Sequence, residues 1–306
     1  MIRKEFIDFC VEQPKEYFLD KIVQMRIESE NRIPPEVQLE FRKLDNDTTV
    51  EEYFLETPWA TKYGIKSHVY VVKKCTGNSL SPVLINIHGG GWSLPHTERD
   101  TYFCRRIANR SGYLIIDIDY VLAPEYPYPA AIEEIEAVLN ILPDWLPTLG
   151  GDVNNITLCG QSAGGNLLAA VMQRKQYSKS LNIQRQILCY LPTDNYTDKY
   201  HGEELNQRAL STEHYGFFYN PVFEDRKKPD VSLVYATADD LREIPKSDFI
   251  LAGLDELCPE GIEYCELLRA NGIETTLRVF ENSRHGFLVN LYDEFQEAED
   301  YLLSIL

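Results

Sequence analysis

The strongest chemical signal in the chain is Ser162, which lies in the sequence GQSAG (residues 160–164) and fits the pattern G-x-S-x-G. This pattern is typical of a serine held at a sharp turn between a strand and a helix, where its hydroxyl can act as a nucleophile. Apolar residues 156–159 precede the pattern and helix-prone residues 166–172 follow it, as that context requires. Because glycine and serine are also common in ordinary turns, the prediction depends on partners elsewhere in the chain.

A serine hydroxyl becomes a good nucleophile only when a base takes its proton, and that base is most often a histidine. Three histidines follow Ser162, namely His201, His214 and His285. The first two lie in an irregular segment, whereas His285 follows the predicted strand 274–280 in a loop. We therefore predict that His285 is the base; the alternative is a solvated loop histidine.

The histidine of such a site needs a carboxylate that fixes its tautomer and stabilises its positive charge. Asp255 follows the predicted strand 249–251 and a glycine turn, and it lies between Ser162 and His285 in the chain. The order serine, acid, histidine is one of the known orders for this chemistry. Glu256 is the adjacent competitor, and we predict that Asp255 is the acid.

Backbone N–H groups that stabilise an oxyanion are predicted in the sequence HGGGW (residues 88–92), directly after the predicted strand 83–87. Glycines have no Cβ, so their backbone can approach a substrate oxygen closely. We predict that the N–H groups of Gly90, Gly91 and Ala163 are the donors. A phosphate-binding loop is the alternative, but the pattern G-x-x-x-x-G-K-[ST] is absent.

Three further residues of this glycine loop have predicted roles. Trp92 and Gly89 are predicted to contact the substrate, because they flank the proposed N–H donors. His88 precedes Ser162 in the chain and lies at a strand end, so it is predicted to orient the glycine loop rather than to act as a base. The aromatic residues 215–219 are predicted to pack in a cap core more readily than to line a pocket.

Alternating strands and helices must position these loops, and this alternation predicts a mostly parallel, doubly wound sheet. Residues 1–45 and about 195–245 do not fit the alternation, so we predict that they form a cap over the C-terminal edge of the sheet, where open α/β sheets bind ligands. We predict one domain over residues 1–306. The predicted strands cover 51–59, 68–72, 83–87, 113–118, 156–159, 187–190, 249–251 and 274–280, and the predicted helices cover 99–109, 130–142, 165–176, 261–271 and 293–306.

Composition narrows the classes of function. The chain has 306 residues and a net charge of −18, from 30 basic and 48 acidic residues, which argues against binding to nucleic acid or to an anionic membrane. The N-terminal stretch is charged and lacks an apolar signal core. The seven cysteines are scattered, with no C-x-x-C pair, and they predict reduced thiols and a cytoplasmic protein.

The motifs together resemble the hormone-sensitive-lipase-like α/β-hydrolases, the group that includes arylacetamide deacetylases and bacterial acetyl esterases. This resemblance implies an α/β-hydrolase core of about eight strands with a small helical cap. It also implies hydrolysis of short-chain carboxylic esters through an acyl-serine, without a cofactor or a metal. The residues that carry it are HGGGW (88–92), DYVLAPE (119–125), Pro127, Pro129, GQSAGG (160–165), Asp255 and HGF (285–287).

The sequence departs from the family pattern at positions outside the three predicted catalytic residues. Gln161 stands where the family often has an acidic residue, and Val121 stands where it usually has arginine. The acid loop, residues 255–260, reads DELCPE instead of D-P-L-x-D-E. These departures bear on substrate preference and loop geometry, not on the type of reaction.

We therefore predict a serine carboxylesterase that acts on a small-molecule ester. Two alternatives stay open: an amidase or deacetylase that uses the same three residues, and a non-catalytic binding protein of the same fold. The binding protein would be expected to lack one of the three residues, and all three are present. A homodimer is compatible with the fold, although no residue pattern indicates one.

Overall fold

An eight-stranded sheet forms the centre of the protein in its computed structural model, which describes residues 10, 12–13, 15–30, 39, 47–75, 80–197 and 207–306. The strand order is β1-β2-β4-β3-β5-β6-β7-β8. The strand β2 is antiparallel to both of its neighbours, and all pairings from β4 to β8 are parallel. The strands are β1 (Thr48–Leu55), β2 (Ser67–Lys74), β3 (Ser81–Ile87), β4 (Leu114–Asp119), β5 (Gly151–Gln161), β6 (Ile183–Cys189), β7 (Lys246–Ala252) and β8 (Thr275–Phe280).

Helices cover both faces of this sheet, as the predicted doubly wound architecture requires. Alternate residues of β3 point to opposite faces: Ile85 packs with the cores of α4, α5 and α7, while Leu84 packs with α3 and α9. The predicted fold class is thereby confirmed. The helices are α1 (Lys15–Glu30), α2 (Pro58–Tyr63), α3 (Glu98–Ser111), α4 (Ala130–Leu149), α5 (Ala163–Arg174), α6 (Gln207–Tyr219), α7 (Cys258–Ala270), α8 (Phe287–Asn290) and α9 (Phe295–Ile305).

The helices α1 and α6 contact each other although they are far apart in the chain. The ring of Phe18 in α1 lies 4.9 Å from that of Phe217 and 6.0 Å from that of Phe218, both in α6. Arg26 of α1 also donates to the carbonyl oxygen of Ser93 at 3.0 Å and pairs with Glu125 at 2.7 Å. These helices belong to residues 1–45 and 195–245, the two segments that do not fit the alternation of strands and helices. The described parts of the two segments therefore meet beside the loops that follow β3 and β4.

Several element boundaries differ from those predicted. The first predicted strand, 51–59, ends at Leu55 because Thr57 caps the helix α2: its hydroxyl accepts from the N–H of Ala60 at 3.0 Å, and Pro58 suits the first helical position. The helix α4 continues through Pro143 and Pro147 to Leu149. The predicted closing helix, 293–306, is observed as α9, and the short helix α8 precedes it where no helix was predicted.

Among the described residues, no helix combines the length and the apolar character needed to span a bilayer.

Candidate active site

Ser162 lies at the junction between β5 and α5 in a strained backbone conformation, with φ 52° and ψ −123°. Its N–H donates to the carbonyl oxygen of Cys189 at 2.9 Å, which fixes the turn to the neighbouring strand. A Cβ on Gly164 would lie 2.1 Å from the carbonyl oxygen of Ile87, and one on Gly160 would lie 2.6 Å from that of Gly164. Both flanking positions of the G-x-S-x-G pattern therefore require glycine for close packing of the backbone.

Ser162, His285 and Asp255 form one hydrogen-bonded line. Nε2 of His285 lies 2.8 Å from Oγ of Ser162, and Nδ1 lies 2.5 Å from Oδ2 of Asp255. A carboxylate can only accept, so Nδ1 carries the proton and Nε2 is free to accept from the serine hydroxyl. Asp255 is buried and also accepts from the N–H of Leu257 at 3.2 Å, whereas Glu256 is exposed. The structure thus brings Asp255, and not Glu256, to the imidazole.

The loop that carries His285 is held by contacts that sequence reasoning missed. The ring of Tyr190 meets the imidazole edge-to-face at 5.2 Å, and the hydroxyl of Tyr292 donates to the carbonyl oxygen of His285. Arg284 pairs with Asp293 at 3.0 Å across the same loop. One sequence signal could have pointed to Tyr190: this residue directly follows β6, at the sheet edge that carries Ser162.

The other two histidines that follow Ser162 in the chain do not join this line. His214 is buried in α6, where its ring lies 6.3 Å from that of Phe218. His201 lies outside the described residues.

The glycine loop after β3 lies against the turn at Ser162. A Cβ on Gly89 would lie 3.1 Å from the carbonyl oxygen of Gln161 and 3.3 Å from Cβ of Ser162. Gly90 and Gly91 have φ values of 120° and 58°, which glycine adopts readily. Within the described residues, no acceptor is bonded to the N–H groups of Gly90, Gly91 or Ala163. These three groups are therefore open to a ligand oxygen.

Trp92 and His88 flank the glycines and are both buried. The ring of Trp92 stacks on that of Tyr219 in α6, with centroids 4.6 Å apart. His88 stacks on Tyr120 at 4.4 Å, and its Nδ1 lies 2.7 Å from the carbonyl oxygen of Gly89. His88 thus contacts the backbone of the loop and lies on the side away from solvent.

A cavity of about 670 Å³ opens above Ser162. His285, the three glycines and Trp92 line it, and α1 and α6 contribute further lining residues. Tyr215 is one of them: a Cβ on Gly91 would lie 2.5 Å from its ring, so the tyrosine covers the glycine loop directly. This tyrosine from the aromatic segment 215–219 therefore lines the cavity, while Tyr219 of the same segment is buried.

A chain of buried polar groups lies beneath the turn and explains the unusual Gln161. The Gln161 amide donates to Oδ1 of Asn86 at 2.8 Å, and the Asn86 amide donates to Oδ1 of Asp117 at 2.7 Å. Oδ2 of Asp117 lies 2.8 Å from Nε2 of His96. A carboxylate at position 161 could not donate to Asn86, whereas the glutamine amide can. The departure from the family pattern therefore fits the hydrogen-bond partner of Gln161.

Charge pairing in this buried group shifts several pKa values. Burial alone would lower the pKa of His96, but the charge and hydrogen bond of Asp117 outweigh burial and raise it to about 9. Burial alone would raise the pKa of Asp119, but the neighbouring imidazole of His88, 3.5 Å away, outweighs burial and lowers it to about 2. The pair of His96 with Asp117 is therefore charged at neutral pH.

Within the described residues, no group of three or more histidine, cysteine, aspartate or glutamate side chains is arranged to hold a metal ion.

Comparison with known proteins places the chain in a family. A family model described as alpha/beta hydrolase fold matches residues 84–289. The esterase LipI of Mycobacterium tuberculosis is 28% identical over 230 residues, which span 73% of this chain and 71% of that protein. The carboxylic ester hydrolase LipN of the same organism is 31% identical over 226 residues, which span 71% of this chain and 60% of that protein.

A solved structure is similar over nearly the whole chain. The hyperthermophilic esterase from the archaeon Pyrobaculum calidifontis is 26% identical and superposes with a TM-score of 0.78, covering 92% of both chains. The resemblance predicted from the motifs is confirmed, and the chain belongs to the alpha/beta hydrolase family.

Proposed function

We propose that the protein hydrolyses short-chain carboxylic esters through an acyl-enzyme formed on Ser162. The observation that carries this proposal is the hydrogen-bonded line from Ser162 through His285 to Asp255, which faces the open N–H groups of the glycine loop. The reaction class is supported by the relatives, which are named as esterases and a carboxylic ester hydrolase.

In the first half of the proposed reaction, Oγ of Ser162 attacks the ester carbonyl carbon while Nε2 of His285 takes the hydroxyl proton. His285 then gives this proton to the oxygen of the leaving alcohol. Asp255 keeps Nδ1 protonated and stabilises the imidazolium that forms. In the second half, water attacks the acyl-serine, His285 takes the proton of the water, and the serine is regenerated.

The negative charge that develops on the carbonyl oxygen needs preorganised donors. We assign this role to the N–H groups of Gly90, Gly91 and Ala163. Gly89 and Trp92 border the same space, and we assign them to contact with the substrate. Removing one such donor in other enzymes costs about 10²–10³ in kcat, so the glycine loop is expected to contribute strongly to the rate.

We further propose that residues 1–45 and about 195–245, which lie partly outside the described residues, form a cap on a single domain. The contacts between α1 and α6, and the presence of both helices around the cavity, support this proposal. We also propose that this cap limits the length of the acyl group that the cavity accepts. The free state of all seven cysteines supports a reducing compartment such as the cytoplasm, and a homodimer stays a prediction.

The test is hydrolysis of p-nitrophenyl acetate, butyrate and decanoate by the wild type and by Ser162→Ala. We expect the acetate or the butyrate to have the highest kcat/KM and the variant to lose activity on all three. Decanoate as the best substrate would contradict the short-chain proposal. Faster hydrolysis of p-nitroacetanilide than of p-nitrophenyl acetate would favour an amidase.

A further inference from the structure

Two cationic side chains that line the catalytic cavity have no carboxylate partner among the described residues. Arg99 of α3 and Lys21 of α1 both border the cavity, and neither forms an ion pair with a carboxylate of the described residues. Most other described arginines do form such pairs, as expected in a chain with a net charge of −18. Examples are Arg26 with Glu125, Arg106 with Glu299, Arg174 with Glu136 and Arg185 with Asp248.

Among the described residues, Arg99 donates to neutral groups alone. Its Nη1 donates to Oδ1 of Asn290 at 2.6 Å, its Nη2 to Oγ of Ser29 at 3.4 Å, and its Nε to Oγ1 of Thr97 at 3.4 Å. These acceptors orient the guanidinium without neutralising it. A guanidinium has five N–H donors, so two remain for a further acceptor.

The same contacts connect Arg99 to the catalytic histidine. Asn290, which accepts from Arg99, donates its own amide to the carbonyl oxygen of Gly286 at 2.8 Å. Gly286 directly follows His285 in the chain. The guanidinium is therefore two hydrogen bonds from the loop that carries the base, on the same side of the cavity.

Carboxylates also line this cavity, and most of them are engaged locally. Oδ2 of Asp100 accepts from the N–H and the hydroxyl of Thr97, at 2.8 and 2.7 Å. Oδ1 of Asp194 accepts from two backbone N–H groups at 2.9 Å, and Glu260 accepts from the N–H of Thr193 at 2.6 Å. Glu28 and Glu256 are exposed. These charges weaken the attraction of the cavity for an anion. We therefore expect a moderate preference for an anionic substrate, and we expect this preference to depend on Arg99.

We propose that Arg99, assisted by Lys21, binds an ionised carboxyl group of the substrate, so that the substrates are carboxylic esters carrying a second, free carboxylate. Arginine suits this role because its planar fork can donate two parallel hydrogen bonds to a carboxylate. This inference rests on the proposed esterase function. The carboxylate could belong to the acyl group, as in a half-ester of a dicarboxylic acid, or to the alcohol.

The test compares charged esters with neutral counterparts in which a methyl or a carboxamide group replaces the carboxylate. The acyl pair is p-nitrophenyl hydrogen glutarate and p-nitrophenyl valerate, and the alcohol pair is 4-carboxyphenyl acetate and 4-carbamoylphenyl acetate. The readout is the ratio of kcat/KM for the charged ester to that for the neutral ester. Measurement at about 0.15 M salt screens distant surface charges, because the Debye length there is about 8 Å.

For one of the two pairs we expect Arg99→Gln to lower this ratio by about ten-fold or more, as is typical for loss of a charge-assisted hydrogen bond. Lys21→Gln should lower the ratio by about two- to three-fold, since a flexible ammonium is a weaker anchor. Arg242→Gln is the matched control, because Arg242 is exposed and pairs with Asp239 at 2.7 Å. It should leave the ratio unchanged. If Arg99 only supports the loop of His285, its variant will slow both esters equally, and an unchanged ratio in both pairs overturns the proposal.

A binding measurement separates this proposal from the esterase function itself. Calorimetry with Ser162→Ala should show that monomethyl glutarate binds more tightly than dimethyl glutarate. Adding Arg99→Gln to this variant should weaken the binding of monomethyl glutarate by about ten-fold. Equal affinity for the two compounds, or no effect of Arg99→Gln, would reject the carboxylate site even in an active esterase. The expected binding without any ester hydrolysis by the wild type would reject the esterase function instead.

Discussion

Two histidine–aspartate assemblies lie near the C-terminal edge of the same sheet. In the first, His285 contacts Asp255 at 2.5 Å and Ser162 at 2.8 Å, and 28% of the His285 side chain is exposed. In the second, His96 contacts Asp117 at 2.8 Å and His88 lies 3.5 Å from Asp119. His88 is fully buried, and only 4% of the His96 side chain is exposed.

This comparison supports our assignment of the base to His285 and not to His96, because an imidazole–carboxylate contact does not by itself make a catalytic base. His96 is ion-paired and its pKa is raised to about 9, so it is already protonated at neutral pH and has no lone pair to accept a proton. His285 instead has its Nε2 on a serine hydroxyl at the edge of a cavity. The two assemblies differ in their access to the cavity and in the serine hydroxyl that contacts His285. The role of each assembly can be tested separately.

The loss of His285 is expected to have the largest effect on activity. His285→Ala should lower kcat/KM for p-nitrophenyl acetate by about 10⁴-fold or more, because serine then has no base. Hydrolysis kinetics at pH 7.5 measure the effect, and circular dichroism shows whether the variant folds. Activity within ten-fold of the wild type in a folded variant would show that another group takes the proton.

Replacing the acid should have the next largest effect. Asp255→Asn removes the charge that stabilises the imidazolium and disturbs its tautomer, and we expect a loss of about 10²–10⁴-fold in kcat. Glu256→Gln is the matched control, since Glu256 is adjacent and exposed, and it should change kcat by less than about three-fold. The reverse ranking of the two variants would move the acid to Glu256.

Loss of His96 should affect stability more than chemistry. His96→Gln leaves the buried Asp117 without its ion-pair partner, and we expect the free energy of unfolding at pH 6.5 to fall by about 2–4 kcal/mol. The elevated pKa of folded His96 means that its contribution is fully present below its unfolded pKa of about 6.5 and is lost as pH rises through about 9.

Denaturant titrations between pH 6 and pH 9.5 measure both the loss of stability in His96→Gln and the pH dependence of the contribution of His96. The stability of the wild type should fall over this range by about 2–3 kcal/mol more than that of His96→Gln. The variant retains His88, whose pKa is also raised, so its own decline serves as the reference. Parallel curves for the two proteins would show that the pair of His96 with Asp117 adds no pH-dependent stability.

The smallest expected effect concerns the support of the base. Tyr292→Phe removes the hydroxyl that donates to the carbonyl oxygen of His285, and a hydrogen bond of this kind contributes about 1 kcal/mol. We expect kcat to fall by about two- to ten-fold with KM nearly constant. A loss as large as that in Asp255→Asn would place Tyr292 in the chemistry itself.

Much of the fold could be predicted from the sequence because apolar runs and glycine turns alternate along the chain. The strand ends that carry Ser162, Asp255 and the glycine loop were located this way, since each motif follows a recognisable apolar strand. The short helix α2 was mistaken for the end of a strand, because the cap by Thr57 is a side-chain contact that hydrophobic periodicity does not report.

Contacts between distant segments could not be predicted from the sequence. The network from Gln161 through Asn86 to Asp117 joins three strands, and no local pattern reports such a pairing. Tyr190 likewise reaches His285 only through the tertiary fold. Arg99 looks like an ordinary helix residue in the sequence, and its place in the cavity became visible only in the structure.

The most direct test of the central claim is covalent labelling of the nucleophile by diethyl p-nitrophenyl phosphate, followed by intact-mass measurement and peptide mapping. We expect one diethylphosphoryl adduct on Ser162 in the wild type and in His96→Gln, much slower labelling in His285→Ala, and none in Ser162→Ala. An adduct that persists in Ser162→Ala, or no adduct in the folded wild type, would contradict the assignment of Ser162 as the nucleophile activated by His285.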